Sequence, residues 1–243
     1  NLVLFDGITE SILTGVVGQC FFEDTGSEIL FCDQNRFGYI KDKTVTFIQE
    51  PVEDFKASIP CGQAICFYNG RVYVAVDNIL YCSDMFSITT CDVRQRVVGI
   101  FDGRITIVNK VDDGLLVCTD REIMFLSGTD HIDGGFQVLY KANYGAVKGT
   151  DKIIKNKIKA EDTSLLDGTG VIFCSYQGIC FIGNGGSFTN LTQNYYTYDY
   201  GANGAALIRY SNGGTYYLAN TDATYDAFNQ DELPNIDVDT AEY

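Results

Sequence analysis

Asp113-Gly-Leu-Leu-Val-Cys-Thr-Asp-Arg-Glu-Ile-Met-Phe-Leu-Ser-Gly128 is the stretch from which the fold class is read. A turn glycine opens it, an apolar run follows, a polar turn interrupts, and a second apolar run closes it. Two short apolar runs around an Asp-containing turn are the signal of a β-hairpin. The same shape recurs at Thr25 to Ile40, Asn69 to Asp84 and Thr169 to Gly183, with a partial copy at Asn212 to Ala219. The first residues of the inner runs are Ile29, Val72, Leu115, Val171 and Thr215, so the steps are 43, 43, 56 and 44 residues. Self-similarity at a fixed period of this size marks a repeat architecture.

Working outward, a further apolar segment precedes each hairpin: Gln19 to Phe22, Ala64 to Phe67, Ile105 to Val108, Ile153 to Ile158 and Ala206 to Ile208. Another often follows, as at Val45 to Ile48 and Phe136 to Leu139. Four strands per unit is the content of a propeller blade. Such a blade cannot bury both faces alone and stacks radially on its neighbours. The reading is therefore an all-β chain, a β-propeller of about five four-stranded blades. Residues 1–221 form the propeller domain and residues 222–243 an acidic C-terminal arm. The Leu2-Val-Leu-Phe5 strand is expected to close the ring by pairing with the incomplete last unit; missing upstream sequence supplying another blade is the alternative. Only Gln49 to Ala57, with Pro51 at its start, has room for a short helical turn.

The long step carries about 13 extra residues beside Lys148 to Lys159, which hold five of the chain's 17 basic residues. Lys148, Lys152, Lys155, Lys157 and Lys159 read either as an edge strand guarded by lysine or as a contact patch for an acidic partner. The tail has the opposite character, with seven acids and no base over residues 222–243. Asp231, Glu232, Asp237 and Asp239 are its candidates for contact with a neighbouring subunit. Tyr195, Tyr196, Tyr198 and Tyr200 form an aromatic cluster of the kind enriched at protein interfaces. Packing between blades is its other reading.

Composition excludes several classes. The 243 residues are 46% hydrophobic and carry a net charge of -15. That content supports a core, and that charge argues against direct contact with nucleic acid or an anionic membrane. No apolar run reaches the 18 residues a spanning helix needs. The first residues lack both a basic region and an initiator Met, so a processed chain or an internal start is expected. The nine cysteines, mostly inside apolar runs, read as buried free thiols of a protein folded in a reducing cytoplasm. Neither metal nor other cofactor is expected.

Catalytic signals are weak. The lone His131 reads as an exposed loop residue. Asp77, Asp84, Asp112, Asp113 and Asp120 are candidate glycosidase carboxylates, but each sits near a turn, where aspartate is ordinary. Gly183-Asn-Gly185-Gly186 does not open a helix and so is not a phosphate loop.

The stretch Ile105 to Thr129, with Val111-Asp-Asp-Gly114, Thr119-Asp120 and Leu126-Ser-Gly-Thr129, resembles a blade of tailed-bacteriophage virion proteins. Tyr81-Cys82-Ser83-Asp84-Met85-Phe86 is similar to their Tyr-Ser-Asp-Pro-Phe turn, with Met85 in place of proline. The likeness spans about residues 62–145. It implies a non-enzymatic tail or nozzle subunit that lies in the virion and forms a homo-oligomeric ring. Its partners would be copies of itself and other virion proteins. A carbohydrate-binding or carbohydrate-active propeller is the alternative.

Overall fold

The computed structural model describes residues 2–5, 10–13, 20–33, 35–132, 134–155, 158–160, 163–166, 169–193, 201–211 and 214–222. They are all-β, with one 3-10 turn and no α-helix. A hairpin of β1 (Leu2–Phe5) and β2 (Glu10–Leu13) comes first. The first four-stranded sheet is the meander β3 (Phe21–Asp24), β4 (Ile29–Cys32), β5 (Phe37–Lys41) and β6 (Thr44–Phe47). After β7 (Lys56–Ser58), the second sheet uses β8 (Ala64–Tyr68), β9 (Arg71–Val76) and β10 (Ile79–Cys82). Here β11 (Thr90–Asp92) leaves to pair with β7, and β12 (Val97–Ile100) completes the sheet.

The third sheet is the meander β13 (Ile105–Val111), β14 (Gly114–Thr119), β15 (Ile123–Ser127) and β16 (Gln137–Ala142). The fourth begins with β17 (Lys152–Ile154). A separate hairpin, β18 (Ile158–Ala160) and β19 (Thr163–Leu166), is inserted before its remaining strands, β20 (Gly170–Ser175), β21 (Gly178–Gly183) and β22 (Phe188–Asn190). A last hairpin joins β23 (Gly204–Ser211) to β24 (Gly214–Thr221).

The second strand of each sheet shows how the sheets stack. Strand residues alternate between faces, and here both faces are covered. On β9, Val72 and Val74 pack with Leu30 and Cys32 of the first sheet, whereas Tyr73 and Ala75 pack with Leu115 and Val117 of the third. On β14 the partition repeats: Leu115 and Val117 face the second sheet, Leu116 and Cys118 the fourth. On β20, Val171 and Phe173 face the third sheet, and Ile172 joins Ile208 and Tyr217 of the last hairpin. Odd positions of the repeated run meet the preceding sheet and even positions the following one. Burial on both sides is why these runs are continuously apolar.

Three expectations are corrected. The strand β1 does not join β23 and β24; it pairs with β2, four residues away, at low loop-closure cost. Residues 49–57 form no helix. Phe55 takes a positive φ of 61°, and the next residues are drawn into the β7–β11 ladder. The expected strand Ile153 to Ile158 is split. Ile154 is the last residue paired with β20 and is buried, while Lys155 is exposed as the chain leaves the sheet for the β18–β19 hairpin.

Candidate functional site

The first strands of the sheets lie side by side, β3 beside β8 and β8 beside β13. Between them and the segment leading into β17 run two adjoining cavities that share Phe21, Gln63 and Lys148. One, about 290 Å³, is also lined by Asp33, Cys61, Gly62 and Arg104. The other, about 330 Å³, is lined by residues of all four sheets, among them Phe22, Ile65, Thr106, Asp151 and Lys152.

Each charged group here has an identifiable environment. Glu23 on β3 accepts from Lys110 Nζ at 2.8 Å and from Phe67 N at 2.9 Å. Lys110 also donates to Phe67 O at 3.0 Å, so one ion pair ties the first strands of three sheets together. Gln63 is spent on structure. Its amide donates to Asp77 O (2.7 Å) and Ile105 O (3.1 Å), and its carbonyl accepts from Asp77 N (2.9 Å). The Asp33 carboxylate accepts from Asn35 N, Arg36 N and the Arg36 guanidinium at 2.7–2.9 Å. Asp151 accepts from Asn109 Nδ2 at 2.7 Å, and burial pushes its carboxyl above the usual range.

Lys148 is half-buried, and its Nζ stands 4.2 Å from the centre of the Phe21 ring, a cation–π contact. Burial, and then the Arg104 charge, hold its ammonium below the ordinary lysine value. Its carbonyl accepts from Gly204 N at 2.8 Å, which anchors the residue to the last hairpin.

Three of the five sequence-selected lysines have described side chains. Lys148 and Lys152 line the cavities and Lys155 is exposed. Lys159 lies on β18. Lys157, Tyr195, Tyr196, Tyr198, Tyr200, Asp231, Glu232, Asp237 and Asp239 lie outside the described residues. Of the arm, only Asp222 is described. Its carboxylate accepts from Asn203 N (2.8 Å) and Nδ2 (3.0 Å), which depress its pKa. Sequence reasoning missed Arg104. It lies 44 residues from Lys148, and no local pattern links the two.

The candidate carboxylates do not converge on these cavities. Asp84 pairs with Lys56 Nζ at 2.6 Å, and Asp120 accepts from Arg104 N at 3.0 Å. Asp112 and Asp113 tie the third sheet to the 3-10 turn Asn184–Gly186. Asn184 Nδ2 donates to Asp112 at 3.2 Å and Gly185 N to Asp113 at 2.6 Å. The Gly-Asn-Gly-Gly stretch is thus a carboxylate-held turn between sheets. His131 departs from the exposed-loop expectation: it is half-buried beside an outer cavity of about 390 Å³ that Phe136 and Tyr140 also line. All nine cysteines are free thiols, seven buried and two, Cys20 and Cys61, half-buried. Among the described residues, no group of three or more His, Cys, Asp or Glu is placed to hold a metal ion. No family model matches the chain, and no curated protein is significantly similar to it.

Proposed function

We propose that the chain is a non-enzymatic structural subunit of a tailed-phage particle, a propeller that assembles into a ring through protein–protein contacts. The observation that carries this reading is the serial stack, in which each second strand divides its side chains between the preceding and the following sheet. Both ends of the stack are incompletely covered. On the first sheet Ile29, Val45 and Phe47 are only half-buried, and Phe22 is exposed. On the last hairpin Ile208 and Tyr217 face inward, while the paired Leu207 and Leu218 are exposed. Joining the ends would cover both faces. The two hairpins β1–β2 and β23–β24 together hold the four strands of a fifth blade, a two-and-two closure in place of closure by a single strand.

The placement in a phage tail or nozzle rests on the resemblance of residues 62–145. The use of the candidate carboxylates in turns and sheet-to-sheet ties favours assembly over hydrolysis. Electron microscopy and sedimentation velocity test the reading. Ring-shaped oligomers are expected, from the chain alone or with the other proteins of its source particle. A chain that remains monomeric in both settings would sink it.

A further inference from the structure

We infer that the paired cavities along the first strands are an anion site, and that they receive the carboxylates of the acidic stretch 222–243 of a second copy. The source of the peptide rests on the subunit reading above; the chemistry of the site does not.

The first argument is unmet charge. Ion pairs in which both partners are described engage Arg36, Lys41, Lys56, Arg71, Arg94, Lys110 and Arg121. Arg104, Lys148 and Lys152 are among the cations outside these pairs, although acids outnumber bases 32 to 17 in the chain. Lys148 lines both of the adjoining cavities, Arg104 the first and Lys152 the second.

The second argument is that the local carboxylates are committed. Asp33 is held by Arg36 and two backbone N–H groups, and Glu23 by Lys110. Asp151 is bonded to Asn109, and its environment disfavours the charged form. None of them serves as partner to Arg104 or Lys148.

The third argument is the seat of Lys148. An ammonium half-removed from water next to a second cation is unfavourable unless an anion compensates it. Phe21 supplies part of that compensation through its ring face. Charge-assisted hydrogen bonds from a carboxylate would supply the rest. Volumes near 300 Å³ accommodate side chains of a peptide and are too small for a nucleic-acid duplex. The chain's negative charge elsewhere acts weakly here, since the screening length is about 8 Å at physiological salt. The stretch 222–243 matches the site in sign, with seven acids and no base.

The test is fluorescence anisotropy of a labelled peptide with the sequence of residues 222–243, titrated into the full chain. Saturable binding that weakens as salt rises is expected. R104Q/K148M should lose about tenfold or more in affinity, whereas K148R should retain binding and K41M, outside the cavities, should match the parent. A peptide with its seven acids replaced by the corresponding amides should not bind. Equal binding by R104Q/K148M, equal binding of the amide peptide, or no saturable binding at all would overturn the inference. Displacement by inorganic phosphate as efficient as by unlabelled peptide would also overturn it, reassigning the site to small free anions. If the double variant loses its cooperative unfolding transition, the single variants R104Q and K148M decide on the same criterion. Rings that form while the peptide ignores these residues leave the subunit reading intact and sink the site. Peptide binding by a chain that never oligomerises does the reverse.

Discussion

Arg71 and Asp130 meet as a buried two-pronged ion pair, Nε to Oδ1 at 2.7 Å and Nη2 to Oδ2 at 3.0 Å, each side chain 5% exposed. Arg71 begins β9 of the second sheet, and Asp130 lies in the loop after β15 of the third. Arg71 also donates to Ser83 O at 2.8 Å, so the pair clasps two sheets that also share an apolar core and neutral or single-charge hydrogen bonds such as Tyr68 OH to Gly128 O at 2.8 Å. Removing one partner strands a buried charge. Arg71→Met is expected to cost about 3–5 kcal/mol, read by denaturant unfolding. Arg71→Met with Asp130→Leu should recover part of that loss, because replacing both charges removes the stranded group. A double variant no more stable than the single one would count against the clasp.

The same pair sets an acid limit. Burial alone would raise the Asp130 pKa, but the Arg71 hydrogen bonds, the Ile132 and His131 N–H groups and the Arg71 charge outweigh it and hold the carboxyl below its ordinary value. A folded pKa below the unfolded one stabilises the fold above about pH 4 and is lost as pH falls through the folded value. Thermal unfolding at about pH 6 and about pH 3 should therefore show a smaller acid drop for the double variant than for the parent. Equal drops would assign acid sensitivity to other carboxylates.

The repeat glycines serve two different ends. Gly26 and Gly70 hold positive φ angles of 90° and 80°. Gly114 and Gly170 do not; a Cβ there would fall 2.6 Å from the Phe125 ring and 2.2 Å from the Phe181 ring, respectively, with backbone oxygens at 2.3 Å and 2.6 Å. Gly114→Ala and Gly170→Ala are expected to cost about 1–3 kcal/mol by overpacking. Gly26 has open space around it, so Gly26→Asn should be milder than Gly26→Ala, since asparagine accepts positive φ better. Chemical denaturation of the four variants separates the two causes.

Tyr73 is fully buried between the second and third sheets, and its hydroxyl has no hydrogen-bond partner among the described residues. Tyr73→Phe removes a desolvated polar atom at nearly constant shape. It should leave stability unchanged or raise it by about 1 kcal/mol. A loss of that size in the unfolding free energy would reveal a partner for the hydroxyl.

Thiol reactivity should follow exposure and proton affinity. Burial pushes Cys82 up to about 12 and Cys180 up to about 11, and lifts Cys66 and Cys118 well above the ordinary range. Cys61 is half-buried at the cavity mouth, and the hydrogen bond with Cys32 holds its thiol below the usual value. Brief iodoacetamide treatment of the native protein, read by peptide mass spectrometry, should label Cys61 first. Cys20, raised by burial, should be slower. Labelling of Cys118 at the rate of Cys61 would contradict the packing described for the third sheet.

Much of the strand content was legible in the primary structure because hairpins are local. The 43-residue recurrence places β4–β5, β9–β10 and β14–β15 at the expected positions, and the repeated hairpin shape places β20–β21 after the 56-residue step. What failed was local pattern under tertiary competition. Pro51 favours a helical start, yet the following segment gains a ladder with β11, more than 30 residues on. Lysine alternation after Ile153 suggested one long strand, yet pairing with β20 ends at Ile154.

The sequence by itself determined the class: short two-strand units, repeated, with turn residues where chain reversals must fall. Short apolar runs and turn chemistry act over a few residues, so they can be read without the fold. Only the tertiary structure decided which face of each run meets which neighbour, because both faces are apolar and the pattern does not distinguish them. Only it, too, brought Arg104 and Lys148 to one cavity. Electrostatic proximity depends on how the first strands stack, and no spacing along the chain encodes that distance.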